Sequence, residues 1–161
     1  LGNIPGDFLN LEFIMLKPQA LSIQKYLDLP EIMDKEDKLL NFLRMEKWIF
    51  DSPDQAGEAY RQFLKDFYQG NKLIKGEVKL NGQRVELRNL QMPILNLYAE
   101  KDHLVPAASS LALGDYVGTK DYTVRSFPVG HIGMYVIGKV QQNLPPVIAN
   151  WLKERCADIV R

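Results

Sequence analysis

Two residues in the second half of the chain, Asp102 and His131, have the types and the surroundings of an acid–base pair. Asp102 follows an apolar run at residues 94–99 that is typical of a buried parallel strand. His131 follows the alternating residues 122–127 and lies in a turn rich in glycine. Because catalytic groups of open α/β sheets gather outside the carboxyl ends of the strands, we expect the two side chains to meet there. The pattern therefore predicts an acid and a general base that require a nucleophile.

Each of these two residues alone has an ordinary structural explanation, because aspartate often forms turns at strand ends and histidine between glycines is often a loop residue. Their joint placement is more specific. The segment between them is long enough for a crossover helix and a strand, and Asp102 opens a D-x-x-V-P motif that ends at Pro106. His103, beside Asp102, is expected to point the other way and to have a structural role. The sequence favours Asp102 and His131 as the functional pair.

The nucleophile is missing from the sequence. The α/β-hydrolases carry theirs on a G-x-S-x-G or G-x-C-x-G elbow that precedes the acid and the histidine, and neither motif occurs in the 161 residues. The single cysteine, Cys156, lies on an apolar helical stripe with Ile159 and is predicted to be a core residue. Since the chain begins at Leu1 without a methionine, we expect the elbow to belong to a preceding part of a longer protein.

The composition indicates a globular protein without a strong charge bias. The chain is 46% hydrophobic and carries 20 basic and 20 acidic residues, which argues against nucleic acid or an anionic membrane surface as a partner. No signal peptide opens the sequence, and its longest apolar run is too short to cross a bilayer. We therefore expect a cytoplasmic, reducing location.

The first half of the chain predicts helices. An apolar helix is expected at residues 8–16, capped by Asp7, with its side chains buried in a helical cap or across a subunit contact. A second helix is expected to start at Asp34 and to run to about Trp48. The segment S-P-D-Q, beginning with the cap residue Ser52, predicts the start of a third helix that Gly70 closes.

The second half predicts strands and a closing helix. Asn81-Gly82 between alternating runs predicts a small hairpin near residues 77–87. Two parallel strands follow, and Pro145 and Pro146 are expected in the first turn of a last helix that starts at Asn143 and ends near Asp158. Two parallel strands cannot bury themselves in water, so the free edge of the first strand is expected to pair with a strand that precedes Leu1.

These elements predict two regions within an α/β fold. Residues 1–90 form a helical cap that includes the hairpin, and residues 91–161 supply the last two parallel strands and helices of an α/β-hydrolase core. The chain is expected to be the carboxyl-terminal part of such a fold.

Several segments of the chain resemble one family, the poly(3-hydroxyalkanoate) synthases, and within it the catalytic subunit of the two-subunit, class III kind. The similar segments cover nearly the whole chain. They are GNIPG and FLNLEF near the start, MEKWIFDSPDQ at residues 45–55, YRQFLKDFYQGNKLIKGE at 60–77, PILNLYAEKDHLVP at 93–106 and VGHIGMYV at 129–136.

The resemblance implies an α/β-hydrolase fold with a lid and a Cys-His-Asp triad that polymerises 3-hydroxyacyl-coenzyme A, 3-hydroxybutyryl-coenzyme A above all, with release of coenzyme A. By position, His131 would be the general base. Asp102 would either orient His131 or help to deprotonate the 3-hydroxyl group of the incoming unit. Cys156 does not match the family's elbow. No cofactor or metal is implied, because the coenzyme A thioester is the substrate.

The resemblance also implies partners. These are the amino-terminal half with the nucleophilic cysteine, a second copy of the subunit, a second synthase subunit and the surface of polymer granules in the cytoplasm. The fragment alone is expected to be inactive. Two alternatives stay open: the end of an α/β-hydrolase esterase or thioesterase, and a non-catalytic module for dimerisation or partner docking.

Overall fold

The computed structural model describes residues 2–156, which form two compact units. The first unit extends to Asn71 and the second begins at Lys72. The hairpin that was assigned to the cap lies in the second unit. The assignment of residues 1–90 to a lid stays a prediction.

The first unit is mainly helical, with one pair of very short strands. Its elements are β1 (Asn3–Ile4), α1 (Gly6–Leu16), a π-helical segment (Gln19–Gln24), α2 (Lys25–Leu27), a 3₁₀ turn (Leu29–Glu31), α3 (Glu36–Ile49), β2 (Gln55–Ala56), α4 (Gly57–Phe63) and a second π-helical segment (Leu64–Gln69). Strands β1 and β2 pair antiparallel, with Asn3 opposite Ala56.

The prediction of a helix start at Ser52 is wrong. Helix α4 begins at Gly57, and the residues before it form β2. The Ser52 hydroxyl bonds to the side chain of Asn10 at 2.7 Å, and the Asp54 carboxylate accepts a hydrogen bond from the Gly6 amide at 3.1 Å. Contacts with the beginning of the chain therefore take the groups that would otherwise cap a helix.

The apolar helix α1 begins earlier than predicted and is less buried. Pro5 precedes its first residue, so Asp7 lies in the first turn and does not cap it. Leu9 is buried, but Phe13 is 52% exposed and Leu16 is 55% exposed. The described part of the chain therefore does not bury these two side chains, and their burial across a subunit contact stays a prediction. Helix α3 likewise begins at Glu36 after Lys35, without a cap from Asp34.

The second unit alternates strands and helices. Its elements are β3 (Lys79–Leu80), β4 (Gln83–Arg84), a 3₁₀ turn (Leu87–Asn89), β5 (Ile94–Ala99), α5 (Ala107–Leu111), α6 (Leu113–Tyr116), β6 (Tyr122–Phe127), α7 (Gly133–Val136) and α8 (Gly138–Cys156). The predicted hairpin is confirmed: Asn81 and Gly82 both have positive φ angles, 49° and 78°, as a two-residue turn of the I′ kind requires.

The two predicted parallel strands are confirmed residue by residue. β5 and β6 pair in register from Ile94 opposite Tyr122 to Ala99 opposite Phe127. Helices lie on both faces. On one face, Asn96 Nδ2 donates to the carbonyl of Ser110 in α5 at 2.7 Å.

The opposite face of these strands carries the core. Ala99 and Phe127 form a buried cluster with Val129 and with Val140 of α8. A parallel pair covered by helices on both faces is an α/β arrangement. In the described residues this sheet has two strands, so the complete α/β-hydrolase sheet stays a prediction.

The closing helix differs from the prediction in its start and in its cysteine. α8 begins at Gly138, so Pro145 and Pro146 lie inside it. Burial of Val140 against the core cluster fixes the additional turn before Asn143. Cys156 is exposed, which corrects its assignment to the core. The predicted positions of Asp158 and Ile159 lie outside the described residues.

Candidate functional site

Asp102 and His131 are in contact at the carboxyl ends of β5 and β6. His131 Nδ1 lies 2.7 Å from Asp102 Oδ2, a charge-assisted hydrogen-bond distance. The expectation that these side chains meet is therefore confirmed by geometry. Parallel pairing of the two strands produces the contact, because each residue follows the end of its own strand by only a few positions.

The other carboxylate oxygen of Asp102 is held by its own turn. Oδ1 accepts hydrogen bonds from the backbone N–H groups of Leu104 and Val105, each at 2.9 Å. These two donors were not among the residues predicted from the sequence. The signal was present, since aspartate at a strand end commonly accepts amides two and three residues later.

This environment keeps Asp102 ionised. Burial of the side chain acts to raise its pKa, but hydrogen bonds from Val105, His131 and Leu104, with the attraction of the imidazole, outweigh that effect. The net result is a pKa below the usual value of 3.8. An ionised Asp102 can accept the Nδ1–H of His131 and stabilise the imidazolium that forms when the other nitrogen takes a proton.

The two turns that carry the pair are tied to each other through the backbone. The amide of Glu100 donates to the carbonyl of Phe127 at 2.9 Å, and the amide of Lys101 donates to the carbonyl of Val129 at 3.0 Å. Since Val129 belongs to the buried cluster, the turn that leads to His131 is fixed to the core. A Cβ atom on Gly133 would lie 2.9 Å from the Cβ of Val129, so close packing explains this glycine.

The pair is open on the imidazole side. The side chain of His131 is 36% exposed, whereas that of Asp102 is 10% exposed. Since Nδ1 of His131 is bonded to Asp102, Nε2 is the ring nitrogen that could act on a group from outside the described residues. A carboxylate on one ring nitrogen and a partly exposed imidazole are what the acid and the general base of a triad would require.

Other candidate chemistry is limited. Cys156 ends α8 in no Gly-x-Cys-x-Gly setting, and the structural role expected of His103 stays a prediction. Among residues 2–156 there is no group of three or more His, Cys, Asp or Glu side chains placed to hold a metal ion. No helix of that part of the chain has the length and apolar character needed to cross a membrane.

Comparison with known proteins adds the family. Residues 1–149 match the family described as "Protein of unknown function (DUF3141)". The chain belongs to this family. No solved structure matches the chain.

Curated relatives specify the resemblance further. The chain is 76% identical over 156 residues to the poly(3-hydroxyalkanoate) polymerase subunit PhaC of Synechocystis sp., covering 96% of this chain and 41% of that protein. It is 55% identical over 155 residues to the protein of the same name from Thiocystis violacea, covering 96% and 44%. A protein of this name from Haloarcula marismortui is 42% identical over 154 residues, covering 96% and 32%.

The resemblance predicted from the sequence motifs is thus confirmed. The chain spans less than half the length of the curated relatives that it matches.

Proposed function

We propose that this chain supplies the acid and the histidine of a poly(3-hydroxyalkanoate) synthase, a class III catalytic subunit that polymerises 3-hydroxyacyl-coenzyme A and releases coenzyme A. 3-Hydroxybutyryl-coenzyme A is the expected substrate. The observation that carries the proposal is the 2.7 Å contact between His131 and Asp102 at the ends of two parallel strands, in a chain similar to PhaC polymerase subunits.

In the first step, His131 Nε2 takes the proton from a cysteine thiol in the part of the enzyme outside this chain. The thiolate attacks the thioester carbonyl and a new sulfur–carbon bond forms. The bond to the coenzyme A sulfur then breaks, and the imidazolium returns its proton to that leaving group. The products are the acyl-enzyme and coenzyme A with a free thiol.

In the second step, the 3-hydroxyl group of another unit attacks the acyl-enzyme. His131 takes the hydroxyl proton, an ester bond forms and the cysteine leaves as the thiolate. The imidazolium returns its proton to that thiolate, and the polymer chain is longer by one unit. An imidazole suits both steps because it titrates near neutral pH.

For Asp102 we infer the orienting role. Its Oδ2 contacts His131 and its Oδ1 already accepts two backbone amides, so neither oxygen is left as a ready base for a substrate hydroxyl. The low exposure of the side chain supports the same role.

The remaining features of the proposal concern the whole protein. They are a preceding half that carries the nucleophile on its elbow, a homodimer, a second synthase subunit, and a cytoplasmic location at polymer granules. The isolated 161 residues are expected to be inactive, because the covalent step has no nucleophile in the proper setting.

A chimera tests the proposal. This chain would replace the matching 156-residue region of the Synechocystis relative, and the purified chimera would be given 3-hydroxybutyryl-coenzyme A. We expect release of coenzyme A together with insoluble polymer. His131→Ala should lower the rate by at least about 10³-fold, and Asp102→Asn by about 10²-fold to 10⁴-fold.

His103→Ala is the matched control and should keep most of the activity. Coenzyme A release with free 3-hydroxybutyrate and without polymer would identify a thioesterase. A folded chimera whose rate is unaffected by His131→Ala would contradict the catalytic assignment. Activity of the isolated chain, abolished by His131→Ala, would contradict its expected inactivity.

A further inference from the structure

Ser126 and Glu100 form a side-chain hydrogen bond between the strand ends that lead to Asp102 and His131. Ser126 Oγ donates to Glu100 Oε1 at 2.7 Å. Ser126 is the next-to-last residue of β6, and Glu100 follows the last residue of β5. We propose that Glu100 and Ser126 are positioning residues that hold the acid turn and the histidine turn in register. The effect of these two residues on catalysis rests on the proposed function, but their effect on the position of His131 relative to Asp102 does not.

The first argument is where the bond lies along the strands. It bridges β5 and β6 at the last position before the chain turns toward the two functional side chains. Asp102 is two residues beyond Glu100, and His131 is five residues beyond Ser126. Few residues separate the strand ends from Asp102 and His131. A displacement of one strand end relative to the other would therefore change the distance between these two side chains by a similar amount.

The second argument is which face of the sheet the bond occupies. The side chains of successive strand residues point to opposite faces of the sheet. The side chain of Ser126 is therefore on the face that Phe127 does not occupy. Phe127, Ala99 and Val129 are held on their face by the buried cluster. Glu100 and Ser126 are exposed on the other face. There, the hydrogen bond between their side chains connects the two strand ends. The hydrogen bond thus adds to the backbone bonds from Glu100 and Lys101 and to the buried cluster, and its loss would leave the strand ends held by those interactions alone, with more freedom on the exposed face.

The third argument is the chemistry of the pair. A serine hydroxyl that donates to a carboxylate makes a charge-assisted hydrogen bond, which is stronger than a neutral one. Solvent weakens it, so its removal should loosen the site without unfolding the unit. The expected result is a displaced imidazole in a protein that is still folded.

The test uses nuclear magnetic resonance of the imidazoles in the isolated chain, which has only two histidines. His103→Gln assigns the signals. The Nδ1–H proton of His131, bonded to Asp102, should resonate at low field and exchange slowly with water. In Ser126→Ala and in Glu100→Ala we expect this proton to exchange about 3-fold to 10-fold faster, because the strand ends lose one stabilising hydrogen bond.

Conservative variants and a matched control make the result specific. Ser126→Thr keeps the hydroxyl and Glu100→Gln keeps an acceptor oxygen, so both should restore most of the protection. Ser109→Ala is the control, because it removes an exposed hydroxyl for which the structure gives no hydrogen bond. The amide spectrum reports whether each variant is folded. Unchanged exchange of the His131 proton in folded Ser126→Ala and Glu100→Ala would overturn the inference.

The same substitutions in the chimera separate this inference from the proposed function. If the unsubstituted chimera makes polymer, Ser126→Ala should lower kcat by about 3-fold to 10-fold with little change in KM and should alter the pH profile of kcat. A chimera without activity would refute the proposed function and leave the exchange experiment to decide on the positioning role. An active chimera whose pH profile and kcat do not respond to Ser126→Ala would refute the positioning role.

Discussion

Trp151 Nε1 donates a 3.0 Å hydrogen bond to Thr123 Oγ1, and this bond joins α8 to β6. One turn further along α8, Arg155 lies over the ring of Trp151 at 4.2 Å and forms two hydrogen bonds to the carboxylate of Asp121, of 2.6 and 2.7 Å. The hydrogen bond from Arg155 holds the pKa of Asp121 below its usual value. These contacts fix the helix at one end, while Val140 fixes it to the core at the other.

We predict that Trp151→Phe lowers the free energy of unfolding by about 1 kcal/mol, because it removes one hydrogen bond and keeps most of the ring. Urea unfolding followed by circular dichroism would measure the change. Thr123→Val should cost a similar amount, and the double variant should cost less than the sum of the two. Strict additivity would show that the two side chains do not interact in solution.

The second prediction concerns pH. The folded pKa of Asp102 lies below its usual value of 3.8, so the folded state binds fewer protons than the unfolded state as the pH approaches that value. The stability that this carboxylate contributes is therefore fully present above the unfolded pKa and is lost as the pH falls from about 4 through the lower folded pKa.

The Asp102→Asn variant lacks the stability that the ionised carboxylate contributes. The free energy of unfolding of this variant should therefore vary less with pH below about 4 than that of the parent chain. Asp34→Asn, which removes the same charge at an exposed position, is the control. Unfolding curves of Asp102→Asn and of the parent that run parallel through the acid range would contradict the predicted shift.

The third prediction compares two glycines near the start of the chain. A Cβ atom on Gly6 would lie 1.9 Å from the backbone oxygen of Ser52, whereas one on Gly2 would have nothing within 4 Å. Gly6→Ala should thus destabilise the first unit by about 1–3 kcal/mol, as overpacking does. Gly2→Ala should have little effect. Thermal unfolding of both variants measures the difference, and equal melting temperatures would count against the packing of Gly6 on Ser52.

The fourth prediction concerns the free edge of β5. The amide of Ile94 donates to the carbonyl of Asp121, just before β6, and that of Glu100 to the carbonyl of Phe127. The N–H groups of the alternate residues, among them Leu95 and Leu97, therefore face the other edge. Within residues 2–156 no strand pairs with that edge. In the isolated chain we expect the amides of Leu95 and Leu97 to exchange at least about 10-fold faster than those of Asn96 and Tyr98.

Hydrogen exchange at several protein concentrations checks this prediction. In the chimera the same two amides should become protected, since under the proposed function a strand of the longer protein would pair with that edge. Equal protection of all four amides in a monomeric chain would refute both the open edge and the expectation that a preceding strand fills it.

The parts of the fold that could be predicted from the sequence are those in which local pattern and tertiary packing agree. β5 is an apolar run and β6 an alternating one, and the bounds of both agree with the predicted residues. The contact between Asp102 and His131 follows from that pairing. The Asn81-Gly82 turn was predictable because its backbone conformation is demanding and those two residues adopt it easily.

The wrong predictions of helix starts arise where contacts between residues distant in sequence override local sequence preferences. Ser52 and Asp54 are good helix-starting residues, but in the structure they bind Asn10 and Gly6, which are far away in sequence. The prolines of α8 suggested a late start, yet packing of Val140 adds a turn before them. The apolar pattern predicted burial of Phe13 and Leu16, which are exposed in the described chain. Periodicity identifies an apolar helix face but does not indicate whether the surface that covers it belongs to the same chain.

The exposure of Cys156, the one cysteine of the chain, makes the molecule a ready substrate for thiol-specific labelling. A maleimide dye would attach at a single site at the end of α8, one turn from the indole of Trp151, without any engineered residue. Its emission would report whether that end of the helix is covered when the proposed preceding half is added, and a spin label at the same sulfur would give distances between two copies.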